Sequence, residues 1–205
     1  MQIQKEEVKS SIINSGKEEF YKLGYGKASL RRIVKNAGTT IGNFYNYFEN
    51  KEELFSSIVD PAYSKFYSFI NQHTDEDDLS QIVKLDRDTL KYLIGEQLKI
   101  IDEDVQKALV ILIDGSQGTK YENIKTIIEG YIADHFMEHV LESPVSYNVK
   151  YYRKFALSAS NGFVEGFLDI LRKDYTMEEK QSLITDYILF FTMGSYGLLN
   201  GNFSL

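Results

Sequence analysis

The chain has 205 residues, of which 43% are hydrophobic and two are prolines, with no cysteine and a net charge of −7. A chain of this length can bury a real core as one domain or as two small ones. The missing thiol excludes a disulfide framework, a thiolate metal site and a cysteine nucleophile. So few prolines, and no alternating strand-like run, predict an all-α protein. Met1 to Ser10 is charged and lacks an apolar signal core, and no stretch reaches the ~18 uncharged apolar residues of a membrane span, so a soluble cytoplasmic protein is expected.

The first predicted helix places Val8, Ile12 and Phe20 on one face and ends near Leu23-Gly24-Tyr25. A second, short helix follows. Ser29 can cap it, its apolar residues Leu30, Ile33, Val34 and Ala37 recur at helical spacing, and Gly38 stands where a helix end favours a left-handed residue. After a turn of three or four residues, Thr39 or Thr40 can cap a third helix in which Phe44 and Phe48 face inward. Gly42, Asn43, Tyr45, Asn46 and Tyr47 are left for another surface. A compact pair of this kind is the shape that sets its second helix into a DNA major groove. Asn50 and Glu53 then have the offset of a capping pair opening the next helix. Charge is divided unevenly: residues 1–55 hold nine Lys or Arg against seven Asp or Glu, whereas the remaining 150 carry a balance of −9. That asymmetry suits a duplex-binding head on an acidic body, although +2 is also compatible with an ordinary mixed-charge surface.

The run from Ala37 to Leu54, with its A-G-T-T-x-G-N-F-Y-N-Y-F-x-x-K-E-E-L pattern, resembles the DNA-binding domain of the tetracycline-repressor (TetR) family. About the first 55 residues carry the resemblance; the rest matches only in helical character. The resemblance implies an N-terminal three-helix DNA-binding domain with a helix-turn-helix (residues 1–50), joined to a helical effector-binding and dimerisation domain (residues 51–205), about nine helices in total. It further implies phosphate contacts at Ser29, Tyr45 and Lys51, and a groove-facing set of Thr40, Ile41, Gly42, Asn43 and Tyr47. The chemistry is compatible: hydroxyls and an ammonium anchor a backbone without reading it, Asn43 could pair with adenine, and Ile41 could touch a thymine methyl. Tyr45 or Tyr47 could instead pack on neighbouring helices. The sequence departs from the commoner family pattern at Thr39, where an apolar residue is usual, and at Asn43, where a hydroxyl is usual.

A long helix is predicted from about Lys51 to Gln72, interrupted or bent near Pro61, followed by an acidic loop, Thr74 to Asp78, which lacks the ligand spacing of a calcium loop. Helices are then expected over about Asp86–Ile101 (Leu90, Leu93, Ile94, Leu98 and Ile101 on one side) and Asp104–Ile113. Asp114 to Lys120 has glycines but not the spacing of a phosphate cradle, and reads as a connector. Thr119 and Glu122 form the expected capping box of a helix over about Lys120–Leu141, with Ile124, Ile127, Ile128, Tyr131 and Ile132 as its stripe. His135 continues that stripe and His139 lies one turn on. The pair, with Glu138, could hold a transition metal, could offer a polar handle to a small molecule, or could simply pack at the core edge.

Two last helices are predicted over about Tyr147–Arg172 and Met177–Leu199, the second opened by the capping pair Thr176 and Glu179. Phe155, Ala159, Gly162, Phe163, Gly166 and Phe167 stripe the first. Tyr187, Phe191, Gly194 and Leu198 stripe the second. Large apolar faces with small residues suit shallow helix packing and a two-fold four-helix interface, hence a homodimer.

A nucleophile elbow, a dinucleotide fingerprint and a zinc-hydrolase helix are missing, and Asp102, Glu103 and Asp104 diverge on a helix, so neither enzymatic activity nor a cofactor is expected. The expected function is DNA-binding transcriptional regulation, with repression relieved by a small-molecule effector. The 28 aromatic residues favour an apolar or aromatic pocket, with Tyr92, Gln97, Tyr131, His135 and Phe163 as lining candidates. The rival readings are a ligand-independent or architectural DNA-binding dimer, and a metal-responsive regulator using His135 and His139.

Overall fold

The computed structural model describes residues 2–72, 85–99, 101–142 and 147–200, and all secondary structure among them is helical. The nine helices of the described residues are α1 (Gln2–Lys27), α2 (Leu30–Asn36), α3 (Ile41–Phe44), α4 (Lys51–Gln72), α5 (Arg87–Leu98), α6 (Glu103–Asp114), α7 (Ile124–Glu142), α8 (Val149–Arg172) and α9 (Met177–Asn200). The acidic stretch Thr74 to Asp78 lies outside the described residues. The chain forms two compact units, one of Met1–Gln72 with Glu103–Ile124, the other of His73–Asp102 with Lys125–Leu205. The unit that contains the first 50 residues therefore also takes in α4, α6 and the connector after it.

In the first unit, Ile12 and Phe20 of α1 pack with Ile33 and Val34 of α2, Phe44 of α3 and Leu54, Phe55, Ile58 and Val59 of α4, all buried. Burying side chains of this size contributes roughly 1.5–3 kcal/mol each. Gly16 permits the closeness of α1 and α4: a Cβ there would lie 2.9 Å from Cδ2 of Leu54. α1 breaks at Gly24 (φ 68°, ψ 169°), a conformation open essentially to glycine. α4 runs on through Pro61 rather than being interrupted there. Proline lacks an N–H, so the Ser57 carbonyl one turn back receives no bond from position 61. Beside it, the Tyr121 hydroxyl donates to Asp60. The Tyr63 ring lies 4.8 Å from that of Tyr67, and hydrogen bonding to Tyr67 together with burial pushes its phenol up to about 12.

The expected capping box at Thr119 and Glu122 is a turn instead. Thr119 Oγ1 donates to the Ser116 carbonyl at 2.7 Å and accepts from the Tyr121 N–H at 3.1 Å, so α7 begins only at Ile124. Thr176 and Glu179 do exchange reciprocal bonds, at 2.8 and 3.2 Å.

In the second unit, Ala133, Met137 and Val140 of α7, Ala156 of α8 and Leu199 of α9 form one buried cluster, flanked by Phe136, Tyr147 and Tyr152. On α8 the inward ridge is Ala156, Ser160, Val164, Leu168 and Leu171, not the aromatic and glycine stripe, which is left half-buried or exposed. Leu93 and Ile127, expected on inner stripes, are exposed.

Candidate nucleic-acid interface

Thr40, extended at φ −117° and ψ 161°, is the residue that caps α3; its Oγ1 accepts from the Asn43 N–H at 3.1 Å. Gly38 has φ 66° and makes the turn from α2, closed by a bond from the Thr39 N–H to the Val34 carbonyl at 2.9 Å. α3 is a single α-turn. From Asn46 on, the backbone closes more tightly, with N–H donors of Asn46 and Tyr47 reaching the carbonyls three residues back at 3.1 and 2.9 Å. Phe44 and Phe48 are buried as expected, their rings 5.5 Å apart. Ile41 and Gly42 are exposed, Asn43 and Tyr47 half-buried, and Tyr45 is 57% exposed. One short segment thus carries an apolar inner side and a continuous outer side of mixed polar and apolar groups.

Ser29 occupies the N-cap position of α2 but makes no side-chain capping bond. Its backbone N–H donates to Glu19 Oε1 at 2.9 Å, an oxygen that also takes the Arg32 Nε–H at 2.7 Å. Glu19 is only 8% exposed. Burial alone would raise its carboxyl, but the bonds from Arg32 and Ser29, with the charges of Arg32 and Lys22, outweigh it and hold the group below its ordinary value. The cap of α2 is therefore supplied through α1, a role the sequence pattern did not reveal because it joins positions ten and thirteen residues apart.

Lys51 is turned into the structure. Its ammonium donates to the carbonyls of Tyr25 at 2.7 Å and Ala28 at 3.1 Å, and it lies 4.2 Å from the centre of the Tyr25 ring. Burial pushes its pKa down, opposed by the charge of Glu19. At the start of α4, Asn50 Oδ1 accepts from the Glu53 N–H at 2.9 Å, while Glu53 returns its carboxylate to the Glu49 N–H rather than to Asn50.

The residues named for an effector differ in exposure. Tyr92 and Gln97 are exposed, whereas Tyr131, His135 and Phe163 are half-buried. Phe163 instead stacks on Tyr187 of α9, with ring centroids 5.4 Å apart, and meets Phe191 edge-on at 5.0 Å. A cavity of about 360 Å³ between α5 and α9 is lined by Leu85, Arg87, Leu90, Asp186, Leu189, Phe190 and Met193, and none of the five borders it. The His135 and His139 rings lie 4.8 Å apart, and His135 Nδ1 is 3.4 Å from Glu138. Among the described residues no three His, Cys, Asp or Glu side chains converge as a metal site would need.

The α8–α9 surface divides the expected interface residues. Tyr187 crosses to α8, donating to the Gly162 carbonyl at 2.9 Å, and a Cβ on Gly166 would stand 2.0 Å from its hydroxyl. Tyr187 and Phe191 therefore serve packing within the chain. Phe155 and Leu198 are exposed, Gly162 and Gly194 have open space before them, Ala159 and Phe167 are half-buried, and Phe190, outside the predicted stripe, is 68% exposed.

A model of the bacterial regulatory proteins of the tetR family matches residues 12–58, the segment from the middle of α1 into α4. The probable HTH-type transcriptional regulator ArpR of Pseudomonas putida is 30% identical over 77 residues, 38% of this chain and 37% of that protein. The uncharacterized HTH-type transcriptional regulator YdgC of Bacillus subtilis (strain 168) is 23% identical over 184 residues, covering 79% of this chain and 93% of its own. Among solved structures, a TetR family transcriptional regulator from Chloroflexus aurantiacus J-10-FL shares the fold, with a TM-score of 0.55 at 15% identity over 95% of this chain and 91% of that one.

Proposed function

Because this chain belongs to the TetR family of bacterial regulatory proteins, and so to DNA-binding regulators of transcription, we propose that it is a homodimeric repressor whose two α3 segments read successive major grooves of a pseudo-palindromic operator. The observation that carries this reading is the outer side of α3: Ile41, Gly42 and Tyr45 are exposed on a segment held from behind by buried Phe44 and Phe48. Thr40, Ile41, Gly42, Asn43 and Tyr47 would face the groove. Tyr45 and the uncommitted hydroxyl of Ser29 would bond phosphates, fixing register. Lys51 spends its ammonium on two carbonyls of the α1–α2 turn, so its contribution would be to hold that turn in place as well as to add positive charge near the backbone.

Dimerisation would use α8 and α9. Exposed Phe155, Phe190, Leu183 and Leu198, beside the open glycines Gly162 and Gly194, supply the apolar, closely approachable surface that a two-fold interface needs. A small apolar or aromatic molecule bound in the helical body would favour a head spacing that no longer fits adjacent grooves. A coupling of about 1–3 kcal/mol would lower operator affinity some five- to 150-fold.

The test is an anisotropy titration at fixed salt against duplex from immediately upstream of the protein's own gene and against a random duplex pool, with Tyr45→Ala as control. Selective binding at about 10⁻⁸–10⁻¹¹ M, weakened in the variant, is the expected result; equal binding to every duplex at every salt concentration removes the operator-reading role. Thermal-shift screening of lipophilic compounds addresses the effector: the reading needs a compound that both raises the melting temperature and weakens operator binding.

A further inference from the structure

Thr39 and Asn43, polar side chains on either side of the α3 cap Thr40, are bonded to each other. Asn43 Nδ2 donates to Thr39 Oγ1 at 2.8 Å, and Asn46 Nδ2 donates to Asn43 Oδ1 at 3.0 Å. The chain Asn46–Asn43–Thr39 thus runs from just beyond the end of α3 to the residue before its cap. Thr39 is itself fixed, since its N–H bonds Val34 at 2.9 Å directly after the left-handed Gly38.

A carboxamide has two N–H donors and two acceptor lone pairs. Each end of the Asn43 amide uses one of them on these two neighbours, which holds its plane and leaves one donor and one acceptor to meet a base. Adenine in the major groove presents an acceptor and a donor side by side, and asparagine matches them only in one sense. A freely turning amide must lose that freedom on binding. One held at both ends has already lost it.

We propose that Thr39 and Asn46 are positioning residues for sequence specificity, orienting the Asn43 carboxamide to read one adenine in each operator half-site. The inference rests on the operator-reading function above and adds two residues that do not themselves need to touch a base.

The experiment is selection of binding sites from a randomised duplex pool with the full chain, followed by anisotropy titrations of the selected duplex and of its single-position variants. The expected wild-type result is one A·T pair per half-site whose replacement lowers affinity about 5- to 150-fold, with Asn43→Ala abolishing that preference. Thr39→Val, which keeps the shape and removes the hydroxyl acceptor, and Asn46→Ala, at an exposed position, are each expected to cut the preference several-fold. Affinity for random duplex, its salt dependence and the melting temperature should stay at wild-type values, and Thr39→Ser should restore discrimination. A purely structural role for these bonds would move melting temperature and all affinities together, and that result overturns the proposal. So does a wild-type preference retained in full by both Thr39→Val and Asn46→Ala, with the operator-reading function intact. Absence of any sequence preference in the wild type overturns both.

Discussion

The backbone N–H of Tyr25 donates to the carbonyl of Gly115 at 2.8 Å, so the break in α1 at Gly24 is stitched main chain to main chain to the residue after α6. The approach depends on two glycines. A Cβ on Gly115 would lie 2.9 Å from the Ile111 oxygen and 3.4 Å from Cα of Gly24, and Gly24 has a φ that L side chains rarely adopt. Salt bridges from Lys17 to Asp104 and from Lys107 to Glu18 flank the seam, but exposed pairs of this kind contribute only about 0–1 kcal/mol. Gly24→Ala is expected to destabilise the first unit by roughly 1–3 kcal/mol through backbone strain, and Gly115→Ala by a similar ~1–3 kcal/mol through overpacking. Urea titrations compare both with wild type; a change below about 0.5 kcal/mol in each contradicts the glycine seam.

Lys51 offers a second test. Replacing it with Met keeps much of the stem and removes two charge-assisted bonds to carbonyls, each in the class worth about 1.5–3 kcal/mol when the partner is left unpaired. Water can replace part of that loss, because the site is half-exposed. Lys51→Met is therefore expected to lower stability by about 1–3 kcal/mol and to weaken binding to random duplex together with selected duplex. A variant as stable as wild type but defective in binding would mean that the ammonium acts on DNA alone.

Glu19 gives the head a pH dependence of definite sign. Its folded carboxyl titrates below the ordinary value because Arg32 and the Ser29 N–H favour the charged form against burial. The stabilisation it supplies is complete above the unfolded pKa of about 4.3–4.5 and is lost as pH falls through the lower folded pKa. Melting curves between about pH 3 and 6 should show wild type losing stability over that range more steeply than Glu19→Gln. At neutral pH the variant should be less stable by about 1–3 kcal/mol.

Gly166 is required by Tyr187. Gly166→Ala must displace the phenol ring that sits against it, and is expected to cost roughly 1–3 kcal/mol of folding stability. Phe190→Asp, in contrast, changes a side chain that is mostly outside the chain's own packing. It should leave secondary structure and monomer stability unchanged while shifting a dimer toward monomer in sedimentation velocity; an unaltered distribution removes Phe190 from the interface.

Much of the head was legible because its signals are local. Gly38, the buried pair Phe44 and Phe48, and a capping threonine all follow from spacing within about ten residues, the range over which helix periodicity and caps operate. The contacts that sequence reading missed are tertiary. The bonds of Lys51 span 23 and 26 residues, and Glu19 reaches a cap ten residues away, with no local pattern to mark either. On α8 both sides are apolar, with Ala156, Val164 and Leu168 against Phe155, Phe163 and Phe167, so periodicity finds stripes without saying which one faces in. None of the effector candidates borders the cavity between α5 and α9 for a related reason: a cavity is made by helices distant in sequence, and no short spacing announces it. Thr39 and Asn43 were visible only as two separate departures, whereas the structure joins them.

Pro61 gives α4 a mechanical character. The half before it is clamped by Leu54, Phe55, Ile58 and Val59, which are buried in the first unit's core, while the half after it has fewer such anchors among the described side chains. A missing backbone bond at the join lowers the stiffness of the rod there. The point of least resistance to bending in α4 therefore lies just past the residues that hold it to the core.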